Sequence, residues 1–342
     1  MPMVVHRAMV SRLKTLARMD IAERRRPQDG RVKTSSGDGR ETELRVSSVP
    51  VAFGEKIVMR VFDPNTMRLD LEALGFFESE LHLWNDFISR THGLVLITGP
   101  TGSGKTTTLY STLRLVSSPD VNITTIEDPI ELVDDTFNQI LVQNKIDVTF
   151  AKALRSVLRQ DPDVIMVGEI RDAETAEMAV QASLTGHLVF STLHTNDAPS
   201  AIVRLQDLGV PNFLISSTLV GVMAQRLVRK ICEFCKKPTT LGPDEAALLG
   251  LNVTSRDLPV FYGEGCNHCR GTGFYGRAGV FEVMPIDHGL KKLISEGATG
   301  DALRAEAVAN GMVTLRDAGI RKLALGITSF DEILRILGDH GS

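Results

Sequence analysis

Apolar positions recur with two different periods along the chain, and the change of period divides it. Val5, Met9, Leu13 and Leu16 fall three or four residues apart and predict an amphipathic helix before the charged run Glu23-Arg24-Arg25-Arg26-Pro27. Packing of this helix on its own sheet is the expectation; a basic helix lying on a membrane surface is the alternative. From Gly30 to Phe62 the period shortens to that of strands, at Arg31–Thr34, Thr42–Ser47 and Ile57–Val61. Ser-Gly-Asp-Gly at 36–39 supplies residues that tolerate the positive φ of a tight hairpin. These features predict the latter part of a small α+β domain over 1–63, its first half missing, and a linker at 64–69.

Between 70 and 229 short apolar runs alternate with helical segments, the pattern of a doubly wound α/β domain. The runs are Leu94–Thr98, Ile123–Ile126, Val164–Val167 and Leu188–Ser191. The helical segments are Lys105–Val116, Phe150–Arg159, Ala173–Leu184 and Pro199–Leu208. Gly, Pro and paired cysteines then mark a tetracysteine element over 230–280. Short helices over 281–342 and a flexible Gly-Asp-His-Gly-Ser end complete the chain. It contains no internal repeat.

Composition changes this picture little. The 342 residues suffice for two or three domains. The net charge of −4 gives no overall basic footprint for nucleic acid. Residues 1–33 do carry nine Lys or Arg against three acids, a surplus that solvated helix faces often show. No apolar run approaches the ~18–20 residues that cross a bilayer, and no signal peptide is recognised, so a cytoplasmic location is expected.

The most specific chemistry lies at Gly99-Pro100-Thr101-Gly102-Ser103-Gly104-Lys105-Thr106. A β-run precedes this P-loop and a helix follows it, so backbone N–H groups and the helix N-terminus converge on a phosphate. Lys105 is expected to bridge β- and γ-phosphates, and Thr106 to offer its hydroxyl to Mg²⁺. A chance glycine-rich turn would lack that strand–loop–helix context. Small-molecule kinases and GTPases share the loop, so hydrolysis must be read elsewhere. Gly168 stands where P-loop enzymes usually place a strand-end Asp. Glu169 therefore becomes the candidate that polarises water, with Glu127 and Asp128 in support, against the plain reading of a solvated strand end. His194 follows a buried strand at its C-terminal end and is a candidate γ-phosphate sensor. His187, before the same strand, reads equally well as a satisfied structural histidine.

Four cysteines occur, as Cys232-Glu233-Phe234-Cys235 and Cys266-Asn267-His268-Cys269, with 30 residues between the pairs. Four thiolates satisfy tetrahedral Zn²⁺ and leave no position for a reacting water, so the site is expected to be structural. His268 is redundant as a ligand. A nucleic-acid-binding zinc ribbon or a redox pair are weaker readings, since no dense basic and aromatic patch surrounds the knuckles.

Taken in order, these motifs resemble the ATPases of bacterial type II secretion and type IV pilus assembly. The resemblance runs from Ile21–Arg31 through the P-loop and the acidic box Thr125–Glu131. It continues through Leu158–Asp163, Gly168–Asp172 and the histidine box from Leu184-Thr185-Gly186-His187 to His194-Thr195-Asn196, and ends at the cysteines. It implies a RecA-like P-loop core, a partial PAS-like N-terminal domain, and a ring-shaped homo-hexamer with ATP between the small domain and the core. Family arginines match Arg45, Arg60, Arg155, Arg159, Arg171 and Arg204, as candidate arginine fingers or subunit contacts. The implied cofactors are ATP, Mg²⁺ and structural Zn²⁺. The implied role is a cytoplasmic motor, peripheral to the inner membrane through platform and docking proteins, that drives pseudopilus assembly for type II secretion. Type IV pilus assembly is the alternative. The tetracysteine element favours assembly over retraction. Family members carry a further N-terminal docking domain, expected to be absent here. A nucleic-acid translocase and a non-hydrolysing nucleotide-binding scaffold are the competing classes; the acidic and histidine boxes argue against the first, and intact Lys105, Thr106 and Glu169 against the second.

Overall fold

The computed structural model describes residues 3–35, 41–62, 69–251 and 258–338. The hairpin turn at 36–39, most of the 64–69 linker and the last four residues lie outside the described residues. The chain forms two compact units, Met1–Leu69 and Asp70–Ser342.

In the first unit, helix α1 (Met3–Leu16) packs on an antiparallel sheet of β1 (Gln28–Ser35), β2 (Glu41–Val51) and β3 (Gly54–Phe62), in that order. The helix expected from the sequence is present, but it buries a different face. Val5, Met9 and Leu16 are each more than two-fifths exposed, whereas Val10, Lys14 and Ala17 are buried. Lys14 turns inward because its ammonium is paired there: it contacts Glu55 and donates 2.8 Å to the Glu23 carbonyl, while Ser48 Oγ donates 2.9 Å to Glu55. A buried cation is tolerated only with such partners, and apolar spacing alone cannot reveal them. Ala17, Met19 and Val46 make the small core, with Val32, Leu44 and Ile57 against them.

The second unit runs α2 (Glu78–Ile88), β4 (Gly93–Thr98), α3 (Lys105–Val116), β5 (Ile123–Glu127), β6 (Asn138–Leu141), α4 (Phe150–Val157), β7 (Val164–Val167), α5 (Ala173–Leu184), β8 (Leu188–Leu193), α6 (Ala198–Asp207) and α7 (Asn212–Thr218). The long strand β9 (Leu219–Ile231) leads to β10 (Lys236–Leu241), α8 (Pro243–Leu248), β11 (Leu258–Gly263) and β12 (Phe274–Pro285). Four helices close it: α9 (His288–Ser295), α10 (Gly300–Ala309), α11 (Leu315–Ala324) and α12 (Phe330–Gly338).

Seven strands form one sheet in the order β12-β9-β4-β8-β7-β5-β6, parallel except for β12, which runs antiparallel to β9. Every residue of β4, β7 and β8 is buried, as parallel strands covered on both faces must be. This is the α/β class that the alternating pattern predicts. Strands β9 and β12 escaped the sequence reading; β9 flanks β4 directly and brings a polar pair, Gln225-Arg226, beside the P-loop. Asp172 and Asp197 cap α5 and α6 by accepting from Thr175 and Ser200 N–H, which fixes the loops leaving β7 and β8. Among the described residues no helix is long and apolar enough to cross a membrane.

Candidate functional site

The P-loop leaves the C-terminal end of β4, the edge of a parallel sheet where ligands collect. Its glycines are required by their surroundings. Gly99 has φ 147°, and a Cβ there would meet the Gln225 carbonyl at 2.5 Å; Gly104 has φ 92°, and a Cβ would meet Gln225 Nε2 at 2.8 Å. The loop is therefore pressed against β9. Helix α3 opens at Lys105 without a side-chain cap, so its first N–H groups face the loop. Ser103 Oγ is buried without a hydrogen-bond partner among the described residues. An uncapped helix start beside an orphaned buried hydroxyl is an arrangement that a phosphate would complete. Thr106 sits half-buried in the first turn of α3.

Lys105 folds back over this loop. Its Nζ donates to the carbonyls of Gly99 at 2.7 Å and Pro100 at 3.1 Å. Burial lowers its pKa to about 8, with Arg226 adding to the effect and Glu169 opposing it. Glu169, one-eighth exposed just beyond β7, contacts Arg171, and its Oε2 lies 3.5 Å from His194 Nε2. Burial and the charge of Lys105 hold the His194 imidazole below its usual pKa despite the pull of Glu169. The structure thus assembles Lys105, Glu169, His194 and Arg171 from the ends of three adjacent strands. The loop after β8 is tied to β4 as well, since Thr195 N–H donates 2.8 Å to Thr98 Oγ1.

The other candidates make contacts of their own. Glu127 is buried at the end of β5, and its oxygens accept from Thr125 Oγ1 at 2.7 Å, Tyr110 Oη at 2.7 Å and Gln139 Nε2 at 3.1 Å. Burial and the Glu127 charge push the Tyr110 phenol upward, so it stays a donor. His187 sits at the opposite end of the sheet, beside the start of β4, with Nδ1 2.9 Å from the Ala182 carbonyl. Its structural reading is the one the geometry supports. Arg155 pairs with Glu174 at 3.4 Å, Arg159 donates to the Arg155 carbonyl at 2.9 Å, and Arg204 is exposed on α6. Arg45 and Arg60 face each other across β2 and β3 of the first unit, with Arg31 next in the row.

The sequence reading missed Gln225 and Arg226. Arg226 is 2 % exposed and donates 2.9 Å to the Asn196 carbonyl and 3.2 Å to the Gln225 carbonyl. Gln225 Oε1 accepts from Thr108 Oγ1 at 2.9 Å. The available signal was two strongly polar residues inside the otherwise apolar run 219–228, since buried polar groups need partners.

The four cysteine sulfurs come together as their spacing predicts. Sγ–Sγ distances are 3.9 Å for Cys232–Cys266, 3.8 Å for Cys235–Cys269 and 3.7 Å for Cys266–Cys269, and all four lie within 4.8 Å of one another. A Zn–S bond of about 2.3 Å gives a tetrahedral edge of about 3.8 Å, so the set fits zinc and is far too open for disulfides. Gly265 N–H points at Cys235 Sγ, and the N–H groups of Cys266 and Gly273 point at Cys269 Sγ, at 3.2–3.3 Å. At Cys269 burial opposes the thiolate, but these N–H groups outweigh it and bring the thiol down to about 6; burial pushes Cys235 up to about 12. His268 is not a member of the cluster: its ring lies between Phe234 and Tyr275, 4.3 Å from each.

The family described as type II/IV secretion system protein matches residues 2–335. The type IV pilus assembly ATPase TfpB of Acinetobacter baylyi is 51% identical over 338 residues, which are 98% of this chain and 58% of that protein. The type II secretion system ATPase E of Vibrio cholerae is 48% identical over 96% of this chain and 65% of its own length. The chain thus spans about three-fifths of the curated relatives it matches. Among solved structures, the pilus retraction motor PilT with bound ADP superposes with a TM-score of 0.64 at 28% identity, covering 91% of this chain and 78% of that one. The chain belongs to the type II/IV secretion system protein family.

Proposed function

We propose that this chain is the ATP-hydrolysing part of a motor that assembles a pilin-like filament, in type II secretion on the main reading. The observation that carries the proposal is the convergence of Lys105, Glu169 and His194 on the mouth of the P-loop. Lys105 holds the transferring phosphate as a cation, and Thr106 presents its hydroxyl to Mg²⁺. Glu169 is the general base for water, with its charge steadied by Arg171 and its orientation by His194. His194, largely neutral, senses the γ-phosphate at the same carboxylate. Glu127 acts through its hydrogen bonds, bracing the β5 end with Tyr110 and Gln139. The bound ADP of the PilT structure supports adenine-nucleotide binding by this chain.

Arg45, Arg60, Arg155, Arg159 and Arg204 are proposed to brace subunits or add positive charge at the nucleotide in a homo-hexamer. The motor acts in the cytoplasm, at the inner membrane through platform and docking proteins, without nucleic acid. Zinc held by Cys232, Cys235, Cys266 and Cys269 supplies no chemistry; it clamps the loop-rich segment between β9 and β12. Type IV pilus assembly is the second reading, favoured by the 51% identity to TfpB. Steady-state phosphate release from Mg–ATP by the purified chain tests the enzyme reading. Zinc-replete protein that neither binds nor turns over Mg–ATP would refute it.

A further inference from the structure

The histidine-box loop is held at three successive residues. His194 faces Glu169, Thr195 is bonded to Thr98 at the root of the P-loop, and the Asn196 carbonyl accepts from Arg226. The first two ties lead to groups at the mouth of the site. The third leads under the P-loop, because Arg226 Nη1 would lie only 3.2 Å from a Cβ at Gly99. We infer that Arg226 is a positioning residue that sets the spacing between the P-loop and the histidine-box loop, and through it the approach of Glu169 to the phosphate.

Several observations support this and none requires Arg226 to touch nucleotide. A guanidinium at 2 % exposure in an inner strand is costly, and an apolar residue would fill the space more cheaply. Its planar fork reaches two carbonyls on different segments at once, which a lysine ammonium on a flexible stem cannot hold in one geometry. Gln225 beside it grips Thr108 on α3 and abuts Gly104, so the pair 225–226 braces both ends of the P-loop from one strand. The charge also matters: the guanidinium beside Gly99 is a permanent positive charge next to the phosphate grip, and after burial it adds to the lowering of the Lys105 pKa.

The inference deepens the proposed ATPase reading and rests on it. Its test compares Arg226→Lys and Arg226→Gln with the parent chain in three measurements: turnover at saturating Mg–ATP, affinity for fluorescent Mg–ADP, and the stoichiometry of that binding. A misplaced loop predicts turnover lowered about 10- to 100-fold in Arg226→Lys, with affinity held within about threefold and one nucleotide still bound per chain. Arg226→Gln, which also removes the charge, loses turnover and weakens binding further. A merely structural role would lower stoichiometry in proportion to turnover. Parental turnover in Arg226→Lys, stoichiometry falling in step with turnover, or failure of that variant to fold would each overturn the inference. Absence of turnover in the parent chain would instead bring down the ATPase reading beneath it.

Discussion

His194 Nε2 lies 3.5 Å from Glu169 Oε2, joining the loops that leave two neighbouring strands. The contact is long for a hydrogen bond, so it orients the carboxylate without holding it tightly. Arg171 contacts the other oxygen of the same carboxylate. On the proposed reading of Glu169 as general base, these two contacts set how its carboxylate is aimed.

Replacing Glu169 by Gln keeps the shape of this arrangement and removes the base. Turnover is expected to fall about 10²- to 10⁴-fold, with Mg–ATP affinity little changed. Phosphate release and nucleotide binding, measured on the same preparation, check it. Loss of binding in parallel with turnover would contradict the assignment of Glu169 as base.

Lys105→Ala acts on the grip instead. Removing a charge-assisted contact worth about 1.5–3 kcal/mol should weaken Mg–nucleotide binding roughly 10- to 100-fold. Calorimetric titration with Mg–ADP reads this directly, and unchanged affinity would place the phosphate elsewhere.

Chelation of zinc, or Cys232→Ser with Cys235→Ser, should release about one metal ion per chain and unfold the segment it clamps. Limited proteolysis is expected to cut within 236–265 at a faster rate. Mg–ADP affinity should stay within about twofold, because the cysteine cluster contributes no phosphate ligand. Unaltered metal content and cleavage rate would show that the thiols do not hold zinc.

Glu80 gives a pH dependence of stability. It is 3 % exposed near the start of α2, with Oε2 accepting from Phe77 N–H at 2.9 Å and Oε1 lacking a hydrogen-bond partner among the described residues. Burial raises its pKa to about 7, against the pull of the Phe77 N–H and the charges of Lys322 and Arg321. Its folded value lies above the unfolded one of about 4.3, so its contribution is complete below that pH and is lost as pH rises through 7. The parent chain should lose on the order of 1–3 kcal/mol from this group between pH 4.5 and 8. Glu80→Gln should remove the loss and melt higher than the parent at pH 8, with a smaller difference at pH 5. Parallel melting curves across that range would contradict it.

The chemistry written in consecutive residues was legible in the sequence. The P-loop, the buried strands Val164–Val167 and Leu188–Ser191, and the two cysteine knuckles depend on local spacing, which survives without knowledge of the fold. The face that α1 buries did not follow from its apolar spacing, because Lys14 is drawn inward by Glu55 and Glu23, partners distant in sequence. Glu127 was read as a support for Glu169 at the end of its strand; its bonds to Tyr110 and Gln139 could not be read there, because they form only once α3 and β6 pack beside β5.

The amino-acid order by itself determined that this chain curls three glycines and a lysine between a strand and a helix, and that four thiols can close on one ion. Only the tertiary structure decided which side chains stand around that curl. The strand order β9-β4-β8-β7 carries Arg226, Lys105, His194 and Glu169 to one edge of the sheet from positions spread over more than a hundred residues. Contacts of that kind follow from how strands pair, and pairing is a property of the folded sheet that no local window of sequence contains.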